Sequence, residues 1–218
     1  MVTARVPTRI NADDRCFFCT FRCMPLLGYT AMFERMVDHP NITFWPTTDF
    51  AAVKDTVRYG HLVYCGPVDE YFGHCFGKLP YRSLRFEHRT FDQEQFQRVA
   101  VMNCPAPEVP FTRITEYKHL TGQVHAKIST THEHPTDDGD PYHPIPAPEN
   151  AALYRCYEAL AESTSEVTFT GRLGTYRYYN MDRVVAQSLA LFGRIAQSQD
   201  AAEPIGPHFG EKPMELSV

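Results

Sequence analysis

Charge of one sign is scarce in this sequence. Lysine and arginine number 21 against 26 aspartate and glutamate, a net −5 over 218 residues, and no run of five or six like charges occurs. A nucleic-acid-binding surface, which needs clustered cations, is therefore not expected. Long apolar runs are lacking too. The opening MVTARVPTRINADDRCFFCTFRCMPLLGYT has no uninterrupted apolar stretch of the signal-peptide kind, and no window approaches the roughly 18 apolar residues of a membrane span. There is no internal repeat, and no G-x-G-x-x-G marks a complete dinucleotide-binding unit. Seven cysteines are an odd number in a chain long enough to bury a core without disulfide staples, which fits reduced thiols. The expectation is a soluble, cytoplasmic protein with no membrane span. What is present is 43% hydrophobic and 13% aromatic residues, enough for one large domain or two small ones.

Periodicity orders the elements. Met32, Phe33, Met36 and Val37 share one helical face within 28–37, with Thr30 as the expected N-cap. The runs Asn41 to Trp45 and His61 to Cys65 read as buried strands. Leu84 to Phe91, Arg98 to Cys104, Thr112 to Lys118 and Val124 to Glu133 follow one another between turns, most simply as an antiparallel sheet. The five prolines of 135–150 predict an irregular connector. A helix capped by Asn150, a short strand Val167 to Thr170 and a helix capped by Asn180 close the pattern, and a loose tail is expected after Gln199. The fold class expected is mixed α+β.

Three groups of residues could carry chemistry. Cys16, Cys19 and Cys23 include the C-x2-C spacing of a zinc knuckle, with His132 or His134 as a fourth ligand. The bland reading, thiols in a partly buried aromatic segment, outweighs it, so no metal is expected. Arg82, Arg85, Arg113 and Arg172 offer planar forks suited to a diphosphate; the alternative is that each pairs with a carboxylate such as Glu87 or Glu116. Phe169 to Asp182 runs from a strand through a glycine turn and tyrosines into a helix start, where free N–H groups attract anionic or polarised groups. Tyrosines filling a core edge are its alternative.

The strings Tyr64-Cys-Gly-Pro-Val-Asp-Glu-Tyr-Phe72, Tyr81-Arg-Ser-Leu-Arg-Phe-Glu87, Phe111-Thr-Arg-Ile-Thr-Glu-Tyr-Lys-His119, Asp140-Pro-Tyr-His-Pro-Ile-Pro146 and Gly171-Arg-Leu-Gly-Thr-Tyr-Arg-Tyr-Tyr-Asn-Met-Asp182 together resemble the UDP-galactopyranose mutase family. The match runs in order from about Arg5 to about Ser198 and covers the C-terminal portion of that family. The resemblance implies a cytoplasmic isomerase that interconverts UDP-galactopyranose and UDP-galactofuranose through a reduced-flavin N5–sugar adduct, with FAD as cofactor. It also implies a role in cell-wall polysaccharide synthesis.

By the same resemblance Arg5 and Arg113 are catalytic. Cys16, Arg82, Asn103, Arg113, His143, Tyr178 and Tyr179 meet the nucleotide sugar. Arg172 and the helix start Met181, Asp182, Arg183, Val184, Val185 and Ala186 meet the flavin. Cys16 and His143 stand where the family has tyrosines, each change removing a phenol that could bond phosphate. The implied organisation is a remnant of the helical and mobile-loop region (1–27), part of the flavin domain (28–66), an antiparallel substrate sheet (67–148), the C-terminal part of the flavin domain (149–199) and a flexible tail (200–218). The Gly-rich cradle for the FAD diphosphate is not among these residues. The partners implied are a homodimer mate or a separately encoded N-terminal half. The alternative is a truncated or split homologue that only binds nucleotide sugar or a partner chain.

Overall fold

The computed structural model describes residues 23–200, with side chains to residue 197. Arg5, Cys16, Cys19 and the tail from residue 201 lie outside the described residues. The element order is α1 (Gly28–Val37), α2 (Phe50–Val53), β1 (Leu62–Tyr64), α3 (Val68–Tyr71), β2 (Tyr81–Phe91), β3 (Val101–Asn103), β4 (Arg113–Glu116), α4 (Lys118–Thr121), β5 (Ile128–Thr136), β6 (His143–Pro144), α5 (Pro148–Ser163), β7 (Val167–Phe169), α6 (Gly171–Gly174) and α7 (Met181–Asp200). The fold is mixed α+β, as expected.

Two sheets carry it. The larger has five antiparallel strands in the order β3-β4-β5-β2-β6. Its spine is the long pairing of β2 with β5, from Ser83 opposite Thr136 to Phe91 opposite Ile128. Side chains alternate across a strand, so one face collects the buried Ser83, Ile114, Glu116, Ile128, Thr130 and His132. The other face is left to more exposed residues. The second sheet is the parallel pair β1 and β7, Leu62 opposite Val167. Parallel neighbours need a long crossover, and here the whole antiparallel sheet and α5 lie between them in sequence.

Aromatics make the core beside this pair. Val68, Leu79, Tyr157 and Tyr176 are buried together, with Phe72, Tyr81, Leu153, Tyr154 and Phe169 packed around them. Burying such rings drives the packing, at about 25 cal/mol per Å² of apolar surface; their polar tips must then find partners. Tyr157 Oη donates to the Gly77 carbonyl at 2.7 Å and accepts the Phe76 N–H at 3.0 Å. Tyr176 Oη donates to the Pro80 carbonyl at 2.5 Å. The buried Asp69 accepts the Leu79 N–H at 2.9 Å and sits 3.1 Å from Nδ1 of His74, closing the 69–79 segment on itself.

Several local expectations are corrected. Helix α1 begins earlier than Thr30: Gly28 has φ +82° and bonds back to the Pro25 carbonyl, so Leu27 caps and Thr30 lies inside the first turn. No α1 residue is buried. Asn41 to Trp45 is not a strand, and Ile42, Phe44 and Trp45 are exposed. A β-prone run forms a strand only against a partner, and none pairs with it among the described residues. β1 is half-buried with Val63 exposed, and among the described residues β7 alone pairs with it. The connector 135–150 contains β6 and the start of α5. Asn150 does not cap α5; Ala147 precedes it, Pro148 opens it, and Asn150 Nδ2 instead bonds the Ile145 carbonyl at 2.9 Å. Asn180 does stand before α7, its carbonyl accepting the Arg183 and Val184 N–H groups.

Candidate functional site on the open sheet face

Strand register gathers the sheet-borne candidates. Asn103 lies opposite Arg113, Arg113 opposite Glu133, and Glu133 opposite Phe86. Residues directly opposite share a face, so these four form one row across β3, β4, β5 and β2. Arg82 and Leu84 share the face of Phe86 by the two-residue period, and His143 on β6 stands opposite Arg82. The face therefore carries Asn103, Arg113, Arg82 and His143 together. Arg113 Nε donates to Asn103 Oδ1 at 3.4 Å, and its guanidinium lies 3.6 Å from Glu133. The Arg113 side chain is 47% exposed and that of Glu133 15%. Arg82 pairs at 2.6 Å with Asp137, both well exposed.

Phe86 carries the row onward. Its ring meets Tyr142 edge-on at 5.7 Å, and the Tyr142 carbonyl accepts from Arg172 at 3.0 Å. Arg172 also donates to Nδ1 of His143 at 3.2 Å and to the Tyr179 carbonyl at 2.5 Å, with its guanidinium carbon 4.9 Å above the Tyr178 ring. None of these partners is negative, so they leave the Arg172 charge available to an anion. Accepting from Arg172 requires a lone pair on Nδ1, which places the proton of a neutral His143 on Nε2. The His143 and Tyr178 rings lie 5.0 Å apart. Arg172, His143, Tyr178 and Tyr179 thus form one cluster, and Arg82 adjoins it through β6.

Arg82 and Arg113 do pair with carboxylates, Asp137 and Glu133, whereas the two carboxylates named from the sequence, Glu87 and Glu116, are used elsewhere. Glu87 bonds Arg89 at 2.8 Å and His134 at 3.0 Å. Glu116, buried, accepts the N–H groups of Phe96 and Gln97. Cys23 is exposed, whereas Cys16 and Cys19 lie outside the described residues. His134 has both ring nitrogens engaged, His132 is buried, and among the described residues no group of three His, Cys, Asp or Glu could hold a metal ion.

The carboxyl ends of β1 and β7 adjoin glycine turns. A Cβ on Gly66 would come 2.5 Å from the Tyr64 hydroxyl, and one on Gly174 would come 3.0 Å from the Tyr64 carbonyl, so a side chain at either position would push on Tyr64. Gly171, at φ +76°, gives its N–H to Gln187 Oε1 at 3.0 Å, tying α6 to α7. The buried Thr170 Oγ1 has no hydrogen-bond partner among the described residues. At the start of α7, Met181 and Val185 are exposed. Ligands of open α/β sheets bind outside the carboxyl ends of the strands, and the exposed apolar residues at the start of α7, tied to this end through Gly171 and Gln187, fit a planar ring there.

Sequence reasoning missed Glu133, Phe86 and Tyr142. Only strand register could have revealed Glu133, which lies twenty residues from Arg113. A cleft of about 300 Å³ lined by Asp49, Phe50, Tyr59, Tyr64 and Glu70 contains none of the candidate residues.

Fold and site together define an α+β protein whose antiparallel sheet presents a basic and aromatic face running toward the ends of a parallel strand pair. Residues 1–178 match the family described as GLF, UDP-galactopyranose mutase, and the chain belongs to that family. It is 40% identical over 192 residues to a probable UDP-galactopyranose mutase of Klebsiella pneumoniae, covering 86% of this chain and 50% of the relative. It is 34% identical to a dTDP-fucopyranose mutase of Escherichia coli, over 86% of this chain and 52% of the relative. It is also 34% identical to the UDP-galactopyranose mutase of Mycoplasma pneumoniae, over 90% and 54%. The chain spans about half the length of these curated relatives. No helix among the described residues is long and apolar enough to cross a membrane.

Proposed function

We propose that this chain supplies the substrate-binding sheet and part of the cofactor site of a UDP-galactopyranose mutase, a cytoplasmic isomerase acting on UDP-galactopyranose and UDP-galactofuranose. The observation that carries this reading is the continuous tract from Asn103 and Arg113 through Phe86 and Tyr142 to Arg172, His143 and Tyr178. Its two arginines would hold the diphosphate, and Asn103, Tyr178 and Tyr179 would position sugar and base. Glu133 tempers the charge of Arg113. Arg82 and His143 line the same face. Arg5 and Cys16, outside the described residues, keep the catalytic and substrate roles implied by family resemblance.

FAD would lie where β1 and β7 end, against Arg172 and the α7 start from Met181 to Ala186. When bound in its reduced form, FAD would supply nucleophilic chemistry at the anomeric carbon. The protein's part is to hold the departing diphosphate between Arg113 and Arg172 and to keep the opened sugar in place. On this reading 28–66 and 149–199 belong to the flavin domain and 67–148 to the substrate sheet.

Relatives named for both UDP-galactopyranose and dTDP-fucopyranose make the shared chemistry a nucleoside-diphosphate hexose. Calorimetric titration of the chain with UDP, UDP-galactose and dTDP tests it. Micromolar binding of a nucleoside diphosphate, lost in Arg113→Ala, is the expected result; absence of binding by the chain, alone and mixed with the N-terminal half of a relative, would overturn it. Turnover of UDP-galactofuranose with FAD under reducing conditions then tests catalysis.

A second reading, binding of nucleotide sugar or a partner chain without catalysis, is favoured by the exposed apolar stripe Met181, Val185, Leu189 and Phe192 along α7. A homodimer mate or a separately encoded N-terminal half would cover it. Light scattering that shows a stable monomer without flavin uptake or turnover counts against both partner and enzyme.

A further inference from the structure

The sheet face turned away from Arg113 carries a bridge that substrate binding does not use. Nδ1 of His134 lies 3.0 Å from the Pro110 carbonyl, and Nε2 of the same ring lies 3.0 Å from Glu87 Oε2. Both partners are acceptors. The two contacts are attractive together only when each ring nitrogen carries a proton. The charged and titratable groups around the ring are Glu87, Arg85 opposite it in the ladder, Arg89 bonded to Glu87, and His132 two residues along β5. Hydrogen bonds from Arg89 first and His134 next hold the Glu87 carboxyl down to about 2, so the acceptor stays ionised.

The bridge grips the segment that delivers Arg113. Pro110, Phe111 and Thr112 lead straight into β4. The Phe111 ring meets His132 edge-on at 4.8 Å and His134 at 5.9 Å, while the Thr112 N–H bonds the Glu133 carbonyl at 2.9 Å. The chain is thus clamped from one face just before Arg113 emerges on the other.

We propose that His134 is a positioning residue for Arg113: its doubly donating ring ties Pro110 to Glu87 and sets the segment from which Arg113 reaches the ligand face. The effect on ligand affinity rests on the reading of Arg113 as a diphosphate contact; the effect on Arg113 itself does not.

The test uses the full chain labelled with nitrogen-15. Both ring nitrogens of His134 are expected to bear protons when the bridge is formed. In His134→Gln and His134→Ala the Arg113 Nε–H signal and the amides of Phe111 to Arg113 shift, while the Arg172 Nε–H signal does not. His134→Ala raises the dissociation constant for UDP by about tenfold, the equivalent of one hydrogen bond, and adds nothing in an Arg113→Ala background. A singly protonated ring, unmoved Arg113 signals, or additive losses overturn the proposal. Should Arg113→Ala alone leave UDP affinity unchanged, the diphosphate reading fails while the spectra still judge the bridge. If His134→Ala does not fold, the wild-type ring spectrum and the Gln variant decide.

Discussion

Glu133 faces Arg113 across the β4–β5 ladder with its carboxylate 3.6 Å from the guanidinium. That is an ion pair looser than a bidentate fork, so Arg113 keeps donors for a second anion while Glu133 limits the local positive charge. Arg113→Ala is expected to weaken UDP binding by about 1.5 to 3 kcal/mol, the range for hydrogen bonds to charged groups. Glu133→Gln should tighten it modestly, since one negative neighbour is removed. Calorimetry on both variants checks the opposite signs.

Arg172 spreads its donors over the Tyr142 carbonyl, His143 Nδ1 and the Tyr179 carbonyl. A lysine ammonium lacks the planar fork that meets such spaced acceptors. Arg172→Lys should therefore loosen residues 178–180 and weaken UDP by about tenfold. Faster amide exchange in that segment, alongside the affinity loss, is the expected observation; unchanged exchange contradicts it.

Stability should fall in acid partly through Glu87. Its folded carboxyl is lowered to about 2 from the ordinary 4.5, chiefly by Arg89 and then by His134. A depressed folded value means that the contribution is complete above about 4.5 and disappears as pH falls toward about 2. Urea unfolding followed from pH 5 to pH 2 should show this loss, and Glu87→Gln should flatten it.

Tyr157 is fully buried and bridges Gly77 and Phe76 through its hydroxyl. Tyr157→Phe should cost about 1 to 3 kcal/mol, because the Phe76 N–H loses its acceptor and the Gly77 carbonyl its donor. Tyr157→Ala should cost about 3 to 5 kcal/mol or abolish folding, since it also opens a cavity. Chemical denaturation measures both.

Much of the fold is legible in local pattern. The aromatic-containing run that becomes β2, the threonine-rich run that becomes β5 and the amphipathic spacing of α1, α5 and α7 each announce themselves without a partner. Capping was less legible: Thr30 and Asn150 are good cap residues by chemistry, yet Gly28 and Pro148 start the helices earlier. The run from Asn41 to Trp45 has strand composition and, among the described residues, no strand to pair with. In the candidate site, Arg113, Arg172, His143 and Tyr178 could be singled out one at a time, but nothing local says which of them meet.

The sequence by itself determined the residue types available for an anion, the antiparallel run of strands, and the motifs that assign the chain to its family. Tertiary structure alone decided that Glu133 tempers Arg113, that Phe86 and Tyr142 join two arginine clusters, and that His134 grips Pro110 from behind. The physical reason is that side-chain chemistry and period are local properties, whereas register is a pairing between distant strands, in which a shift by one residue would send every one of these side chains to the opposite face.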